Sequence, residues 1–527
     1  MAAMFEGKLT KLALGLLVVI AVALGLTLGA GFEKALADDA GGSNLAAAEM
    51  QVADVAYPLW VGEEQVTSDN LEGQGWVFAP AANGNPATLT LNGYNYTGAG
   101  HVETLQDYDG DWDYLCHAAI FWNDDDMLVI KLEGENNVTV TADSTDTRAS
   151  EGIADEEDAG ADEDDEGEED EDPYHRYHGI FCAGNLTLTG TGSLAANGGD
   201  MVDGVAGIYA KGNMSIEEGS ISAVSYESGI CSYEGTIAIG ANAGTVAADT
   251  TGGIDSMYGI YAEGGDVVIE GGTVAARGYR GISAGSDITI NGGEVSAQCT
   301  VAATSVLVTT GIASEHGTLT VNGGTVVAKG HQYGIYAEHF AEEGETELVD
   351  GIVINGGDVV TESAGSESSG IGINGCTMAV KGGSVRAIGS GDKAFGVSAI
   401  NSSGESNRGS LVIGEGVASF IAQGPAGAIN ADTSVTNAVP GFGYADVDGT
   451  KGETAIAINA EGQVLDGYKR VLFPAAKASA TTKPTSKSST AKTGDAVGHA
   501  LPIAAALTAL AASALALAAR RRMRRNR

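Results

Sequence analysis

Residues 259–278 read GIYAEGGDVVIEGGTVAARG, and two other segments repeat this phrase: GIYAKGNMSIEEGSISAVS from Gly207 and GISAGSDITINGGEVSAQC from Gly281. Further copies begin at Gly179, Gly229, Gly311, Gly334, Gly370 and Gly396, and the shortest spacing between copies, 22 residues, recurs. A phrase that returns in the same order at such a period is typical of a repeat protein whose units stack on one another.

Within each copy, apolar residues alternate with a period of two. We expect Ile260 and Ala262 on one side of the strand and Tyr261 on the other. By the same rule, Val268 lies opposite Val267 and Ile269. Ala275 likewise lies opposite Val274 and Ala276. Gly-Gly pairs suit corners that need a positive φ, and the scarcity of proline suits central strands, which need every N–H. We therefore predict an all-β parallel β-helix solenoid of 22 or more residues per coil, capped at both ends.

Composition excludes several classes of protein. The 527 residues include 78 Gly without a Gly-X-Y period, which excludes collagen, and the net charge of −43 excludes a nucleic-acid partner. The five cysteines contain no CxxC pair, which argues against a zinc site or a disulfide-dense scaffold. We expect the cysteines to be unpaired residues of the interior or the edges, although one disulfide between stacked coils stays possible. They are Cys116, Cys182, Cys231, Cys299 and Cys376.

The N-terminus indicates export. Residues 1–37 read as a signal peptide, with Lys8 and Lys11 before an apolar run and Ala35-Leu36-Ala37 as the cleavage pattern. An uncleaved membrane helix is the alternative, since the apolar run is long for a signal. After it we predict an N-terminal β segment and cap over residues 38–115.

The C-terminus indicates anchoring. A Ser/Thr/Lys linker over residues 477–491 leads to Lys492-Thr493-Gly494, an uncharged transmembrane helix ending at residue 519, and a cytoplasmic Arg-rich tail over 520–527. This order resembles the cell-wall sorting signal of Gram-positive surface proteins, in a degenerate form: Thr490 and Ala491 stand where that family has Leu and Pro. Anchoring by the membrane alone, without sortase cleavage, stays open. In either case the body of the protein faces outward at the cell surface.

The β-helix is predicted over residues 116–440, followed by a C-terminal β cap over 441–476. An acidic insert over 151–173 interrupts it, with 14 carboxylates in the 18 residues from Asp155 to Asp172. Such a block is typical of a solvated insert, and weak cation capture is its functional alternative.

The repeat phrase resembles the Gly-rich right-handed β-helix proteins displayed by Gram-positive bacteria, some of them described as carbohydrate-binding. The resemblance covers about residues 50–476. It includes Tyr57–Gly62, Val66–Asn70, Thr88–Leu91, Leu132–Asn136 and Gly467–Phe473. The resemblance implies a right-handed coil and a polysaccharide or glycan partner, with the cell membrane or peptidoglycan as the partner of the C-terminus.

Aromatic and acidic residues concentrate in the first quarter of the chain. Stacking on sugar rings is predicted for Tyr108, Trp112, Tyr114 and Trp122. Calcium ligands are predicted at Asp107, Asp109, Asp111 and Asp113, because clustered carboxylates need a cation or open water. A solvated acidic loop is the alternative to calcium, and a structural cap is the favoured role for Trp60 and Trp76.

The predicted function is a non-catalytic carbohydrate-binding or adhesion protein at the cell surface. Since some β-helix proteins are pectate lyases or polygalacturonases, an enzyme is the first alternative, but no motif for that chemistry is present. Arg277 and Arg280 flank one corner and give a weak hint of a basic catalytic group; exposed surface charges are the favoured interpretation. A purely structural surface stalk is the second alternative.

Overall fold

The computed structural model describes residues 54–106, 113–141, 174–199, 204–252, 258–301, 308–339, 348–400, 409–458 and 465–475. In these residues the fold is all-β, as predicted, and no helix is long and apolar enough to cross a membrane. The described strands belong to one compact unit that ends at Pro474; a second unit runs from Ala475. The predicted signal peptide, acidic insert, linker, sorting-like motif, membrane helix and Arg-rich tail lie outside the described residues.

The first ten strands precede the acidic insert. They are β1 (Ala56–Val61), β2 (Glu64–Thr67), β3 (Glu72–Gly73), β4 (Trp76–Ala79), β5 (Ala87–Asn92), β6 (Asn95–Gly98), β7 (His101–Gln106), β8 (Asp113–Trp122), β9 (Leu128–Glu133) and β10 (Glu135–Val140).

The repeat segment contributes the next strands. They are β11 (Tyr174–Cys182), β12 (Leu186–Thr189), β13 (Ser193–Asn197), β14 (Gly204–Ala210), β15 (Met214–Ile216), β16 (Ser220–Ser225), β17 (Ser228–Ser232), β18 (Ile237–Ile239), β19 (Thr245–Thr250), β20 (Tyr258–Ala262), β21 (Val267–Ile269), β22 (Thr273–Gly278), β23 (Arg280–Ala284), β24 (Ile288–Ile290), β25 (Glu294–Cys299), β26 (Thr310–Ser314), β27 (Leu319–Val321), β28 (Thr325–Gly330) and β29 (Tyr333–Glu338).

The last strands are β30 (Val349–Ile354), β31 (Asp358–Ser363), β32 (Ser369–Asn374), β33 (Cys376–Gly389), β34 (Phe395–Ile400), β35 (Ser410–Gln423), β36 (Gly427–Ile429), β37 (Ser434–Asn437), β38 (Gly441–Tyr444), β39 (Thr454–Ile456) and β40 (Arg470–Phe473).

Three parallel ladders organise these strands. Ladder 1 joins β8, β11, β14, β17, β20, β23, β26, β29, β32, β34 and β36. Ladder 2 runs from β9 through β12, β15 and every third strand to β30, then through the first halves of β33 and β35 to β37. Ladder 3 runs from β6 through β10, β13, β16 and every third strand to β31, then through the second halves of β33 and β35. Each coil supplies one strand to each ladder, which is compatible with the predicted β-helix; its right-handedness stays a prediction.

A column of aliphatic side chains fills the interior behind ladder 1. Its members are fully buried and lie in register on successive strands: Ile120, Ile180, Ile208, Ile230, Ile260, Ile282, Ile312, Ile335, Ile371, Val397 and Ile429. The predicted alternation is confirmed, because Ile260 and Ala262 are buried while Tyr261 is only partly so. Each such aliphatic side chain stabilises the fold by roughly 1.5–3 kcal/mol.

Two glycine positions show why glycine recurs at fixed places in the repeated phrase. Gly272, the second of a Gly-Gly pair, has φ +76° at the corner between ladders 2 and 3, as predicted for such pairs. Gly281, which opens a copy, instead allows close approach: a Cβ there would lie 2.6 Å from the Gln298 nitrogen and 2.7 Å from the Gly311 oxygen.

Antiparallel pairs close both ends of the described solenoid. Near the start, β4 pairs with β5 and β1 pairs with β2 and β8; Trp76 is buried there in the main core. Near the end, β40 pairs antiparallel with β35 and β38. These pairings occupy backbone groups that would otherwise form a free sheet edge.

All five cysteines lie among the described residues, and none forms a disulfide. The prediction of single thiols is therefore confirmed. Burial raises the pKa of Cys182 to about 12 and that of Cys376 to about 12, so both thiols stay protonated at neutral pH.

Candidate functional site

The outward side of ladder 1 carries two columns of side chains. The first, in register with the tyrosine of the phrase, contains Phe121, Phe181, Tyr209, Cys231, Tyr261, Ser283, Ala313, Tyr336, Gly372 and Ser398. The second, three residues earlier, contains Ala118, His178, Ala206, Ser228, Tyr258, Arg280, Thr310, Tyr333, Ser369 and Phe395. Aromatic residues are therefore presented at intervals along one face.

The first coils of this face form a buried aromatic cluster. The rings of Phe121 and Phe181 stack with centroids 4.9 Å apart, and those of Phe181 and Tyr209 with centroids 5.3 Å apart. Trp60 packs edge-on against Phe121 and stacks on His101 at 4.1 Å. Phe121, Phe181 and Tyr209 are almost fully buried, so their stacked rings stabilise the fold and present no open face.

Two coils further along, half-buried tyrosines meet a charged pair. The rings of Tyr258 and Tyr261 stack with centroids 3.9 Å apart and planes inclined by 8°. The Arg280 guanidinium carbon lies 5.8 Å from the centre of the Tyr258 ring, and Arg280 Nη1 donates to the Glu315 carboxylate. Ser283 Oγ donates to Glu315 Oε1 at 3.3 Å. We call Tyr258, Tyr261, Arg280, Ser283 and Glu315 the tyrosine–arginine patch.

Charged groups of both signs surround the patch and act on the pKa of Glu263 in opposite directions. Burial, followed by the charge of Glu315, raises the pKa of the neighbouring Glu263 carboxyl, whereas Arg176 lowers it. Burial also raises the pKa of both Tyr258 and Tyr261, so both phenols stay neutral and keep their O–H at physiological pH. The patch thus combines aromatic surface, a guanidinium, a carboxylate and hydroxyl groups on one face.

Such a combination is chemically suited to sugars. The flat, amphipathic rings of tyrosine pack against the C–H faces of a pyranose. Charged guanidinium and carboxylate groups form stronger hydrogen bonds than neutral groups do, and sugar hydroxyls both donate and accept.

The structure places few of the sequence-predicted site residues. Asp107, Tyr108, Asp109, Asp111 and Trp112 lie outside the described residues, as do Lys492, Thr493 and Gly494. Asp113 is exposed at the start of β8, opposite Gln106 of β7. Calcium binding by the four aspartates stays a prediction.

The two described aromatic candidates lie in different environments. Tyr114 is buried in the outward cluster of ladder 1, with the Arg176 guanidinium carbon 4.3 Å from its ring centre. Trp122 belongs to the main core, is only 4% exposed, and donates from Nε1 to the Asp126 carbonyl at 3.0 Å. Neither ring presents an open face to a ligand in this arrangement, and the structure does not bring the two together.

The two arginines that flank one corner separate onto different ladders. Arg277 lies on ladder 3, where its Nη1 is 3.8 Å from Asp249 Oδ2. Arg280 lies on ladder 1 inside the patch. Sequence reasoning placed Tyr261 outward but did not link it to Arg280 and Glu315. The available signal was the recurrence of Tyr261 in register with Tyr209 and Tyr336.

The family comparison bears on this part of the chain. Residues 114–365 match the model of a family described as carbohydrate-binding domain-containing protein. The match spans just under half of the chain and supports carbohydrate binding, and it includes the whole tyrosine–arginine patch. No curated protein and no solved structure matches the chain.

Proposed function

We propose that the protein is exported and anchored at the cell surface, and that it binds glycans without catalysis through the tyrosine–arginine patch. The observation that carries the proposal is the stacked pair Tyr258–Tyr261 beside the Arg280–Glu315 pair, on one outward face within the family-matched segment. This site replaces Tyr114 and Trp122, whose rings are buried, as the preferred place for sugar stacking.

The proposed location at the cell surface and the proposed calcium ion belong to the same proposal, and both rest on the sequence. The apolar ends, the linker and the Arg-rich tail support surface display, which suits a role in adhesion. The strongly negative net charge disfavours acidic glycans unless a cation bridges them. Calcium held by Asp107, Asp109, Asp111 and Asp113 would supply such a bridge.

A glycan array tests the proposal. The purified full-length chain, kept in detergent because it carries a predicted signal peptide and a predicted C-terminal membrane helix, is applied to neutral and acidic polysaccharides, with Ca²⁺ and with EDTA. We expect retention on at least one glycan. The double substitution Tyr258→Ala/Tyr261→Ala should weaken it about tenfold or more, since each stacked ring contributes roughly 0.5–1.5 kcal/mol beyond its buried area.

Two further variants and one matched control sharpen the result. Arg280→Gln should weaken retention, whereas the matched control Arg277→Gln, which alters an ion pair on ladder 3, should not. Asp107→Ala/Asp109→Ala should remove any difference between Ca²⁺ and EDTA. Absence of retention on every glycan would contradict carbohydrate binding and favour the structural stalk. Time-dependent release of unsaturated product, detected by ultraviolet absorbance, would instead identify a polysaccharide lyase.

A further inference from the structure

A second concave site lies further along the outward face of ladder 1. A cavity of about 400 Å³ opens between the strands β29, β32 and β34. Its lining residues are Tyr333, Glu367, Ser368, Ser369, Lys393, Phe395, Ser398 and Ala399. Apart from Tyr333, all of these residues follow the family-matched segment, which ends at residue 365. We call this cavity the Tyr333–Phe395 pocket.

The pocket has two aromatic walls and a low floor. Tyr333 pairs with Ser369, and Ser369 pairs with Phe395, so the two rings occupy the same position on strands two coils apart. Strands within a sheet lie about 4.8 Å apart, which separates the two wall positions by about 10 Å. One ring in contact with both walls needs about 7–8 Å between them, given contact distances of about 3.5–4 Å on each side. Because the Phe395 ring leans towards Gly427 of the next coil and away from Tyr333, the gap is wider than one ring in contact with both walls would fill. A flat ring in the pocket therefore packs against one wall at a time.

Each aromatic wall packs against a neighbour that does not line the pocket. Tyr333 stacks on Tyr336 with ring centroids 5.1 Å apart. Phe395 lies against the next coil, where a Cβ on Gly427 would come within 3.0 Å of its ring. Both rings are half-buried, so each keeps some exposed surface at the pocket.

The rim supplies polar groups whose charges cancel. Lys393 Nζ donates to Glu367 Oε1 at 2.5 Å, and both side chains are largely exposed. Ser398, on the same outward column as Tyr336, adds a hydroxyl. A ligand at this rim meets one donor group and one acceptor group without a net charge, which matches the hydroxyls of a neutral sugar better than a carboxylate.

We propose that the Tyr333–Phe395 pocket is a second ligand site that holds one neutral pyranose ring packed on Phe395, with Tyr333 as the opposite wall. It is separate from the tyrosine–arginine patch, because Tyr333 lies three coils beyond Tyr258 on the same column, about 14 Å along the solenoid. A glycan chain that runs along ladder 1 would reach both sites.

Saturation-transfer NMR with single sugars tests the pocket directly. The probes are methyl β-D-glucoside, methyl β-D-galactoside and methyl α-D-mannoside, with glucuronate as the charged comparison. The protein is the full-length chain carrying Tyr258→Ala/Tyr261→Ala, so that the patch does not contribute. We expect saturation transfer to the ring protons of at least one methyl glycoside, and a weaker signal for glucuronate.

Two variants of the pocket and one control complete the experiment. Phe395→Ala removes one wall and should weaken binding about fivefold or more. Ser398→Tyr fills the pocket, keeps both walls, and should abolish the signal. Phe442→Ala is the matched control, since Phe442 is a half-buried phenylalanine on β38 outside the pocket, and should leave the signal unchanged.

The outcomes separate this site from the first one. A signal that survives both Phe395→Ala and Ser398→Tyr, or the absence of any signal in the patch-deficient chain, would overturn the pocket, whatever the glycan array shows for the patch. Conversely, a signal that depends on Phe395 supports the pocket even if substitutions in the patch leave glycan retention unaltered.

Discussion

His178 occupies an unusual position for a titratable residue, inside the aromatic cluster of ladder 1. It is 2% exposed, and its ring centroid lies 5.4 Å from that of Phe181 and 5.1 Å from that of Tyr209. Burial, and then the charges of Arg176 and His117, lower the pKa of His178 from 6.5 to about 3. The imidazole is therefore neutral in the folded protein over most of the acidic range.

This shift predicts a loss of stability in acid. Between pH 6.5 and about 3 the unfolded chain binds a proton at His178 that the folded chain does not bind, so the free energy of unfolding falls as pH falls. The slope is about 1.4 kcal/mol per pH unit. We expect His178→Phe to remove this contribution. In urea unfolding, the free energy of unfolding of the variant should therefore rise relative to that of the wild type as the pH falls below 6.5.

The matched control is Phe181→Leu, since Phe181 packs against His178 in the same cluster and carries no titratable group. This variant should follow the wild-type pH dependence. Parallel curves for His178→Phe and the wild type across the acidic range would contradict a neutral, buried His178.

Among the elements, the strand starts of ladder 1 depend on glycine for space. At Gly281 a Cβ would meet backbone atoms at 2.6 and 2.7 Å, and these atoms cannot move without shifting the next coil. We expect Gly281→Ala to lower the free energy of unfolding by about 1–3 kcal/mol, the usual cost of overpacking. The control is Gly467→Ala, where an added Cβ meets nothing within 4 Å. Equal unfolding midpoints for the two variants in urea would contradict this account.

Period and register explain how much of the fold was predictable. The alternation of Ile260, Tyr261 and Ala262 predicted both the strand and the side on which each residue lies, because adjacent side chains in a strand point to opposite faces. Trp122 shares its parity with the buried Ile120, so the same rule, applied once the strand boundaries are known, places it in the core. Its aromatic character alone suggested an exposed site.

The candidate site was less predictable, because its members come from different coils. Arg280 and Glu315 lie 35 residues apart in the sequence and meet only because β23 and β26 are neighbours in ladder 1. The spacing between copies of the phrase varies with the length of the inserts, so no fixed interval in the sequence reveals the pair. The outward tyrosines were visible as a pattern, whereas their charged partners were not.

For the molecule as a whole, stacking of coils implies that each coil depends mainly on its neighbours. The C-terminal strand β40 illustrates the consequence, since it pairs antiparallel with the second half of β35 and places Phe473 opposite Phe420. Both rings are fully buried, with centroids 6.5 Å apart. Loss of this contact should loosen the last coils and leave distant coils intact.

Phe473→Ala tests this locality by hydrogen exchange. Replacing a buried phenylalanine by alanine costs about 3–5 kcal/mol. In a chain coupled only between neighbours, that cost should appear as faster exchange in β35 to β39, with no change in β14 to β25. Leu472→Ala is the control, because Leu472 lies on the same strand with its side chain only partly buried, and it should have a much smaller effect. Nearest-neighbour coupling confines the effect of a terminal substitution to its own end of the solenoid. Faster exchange throughout all the ladders would therefore contradict such coupling and show that the solenoid unfolds as a single cooperative unit.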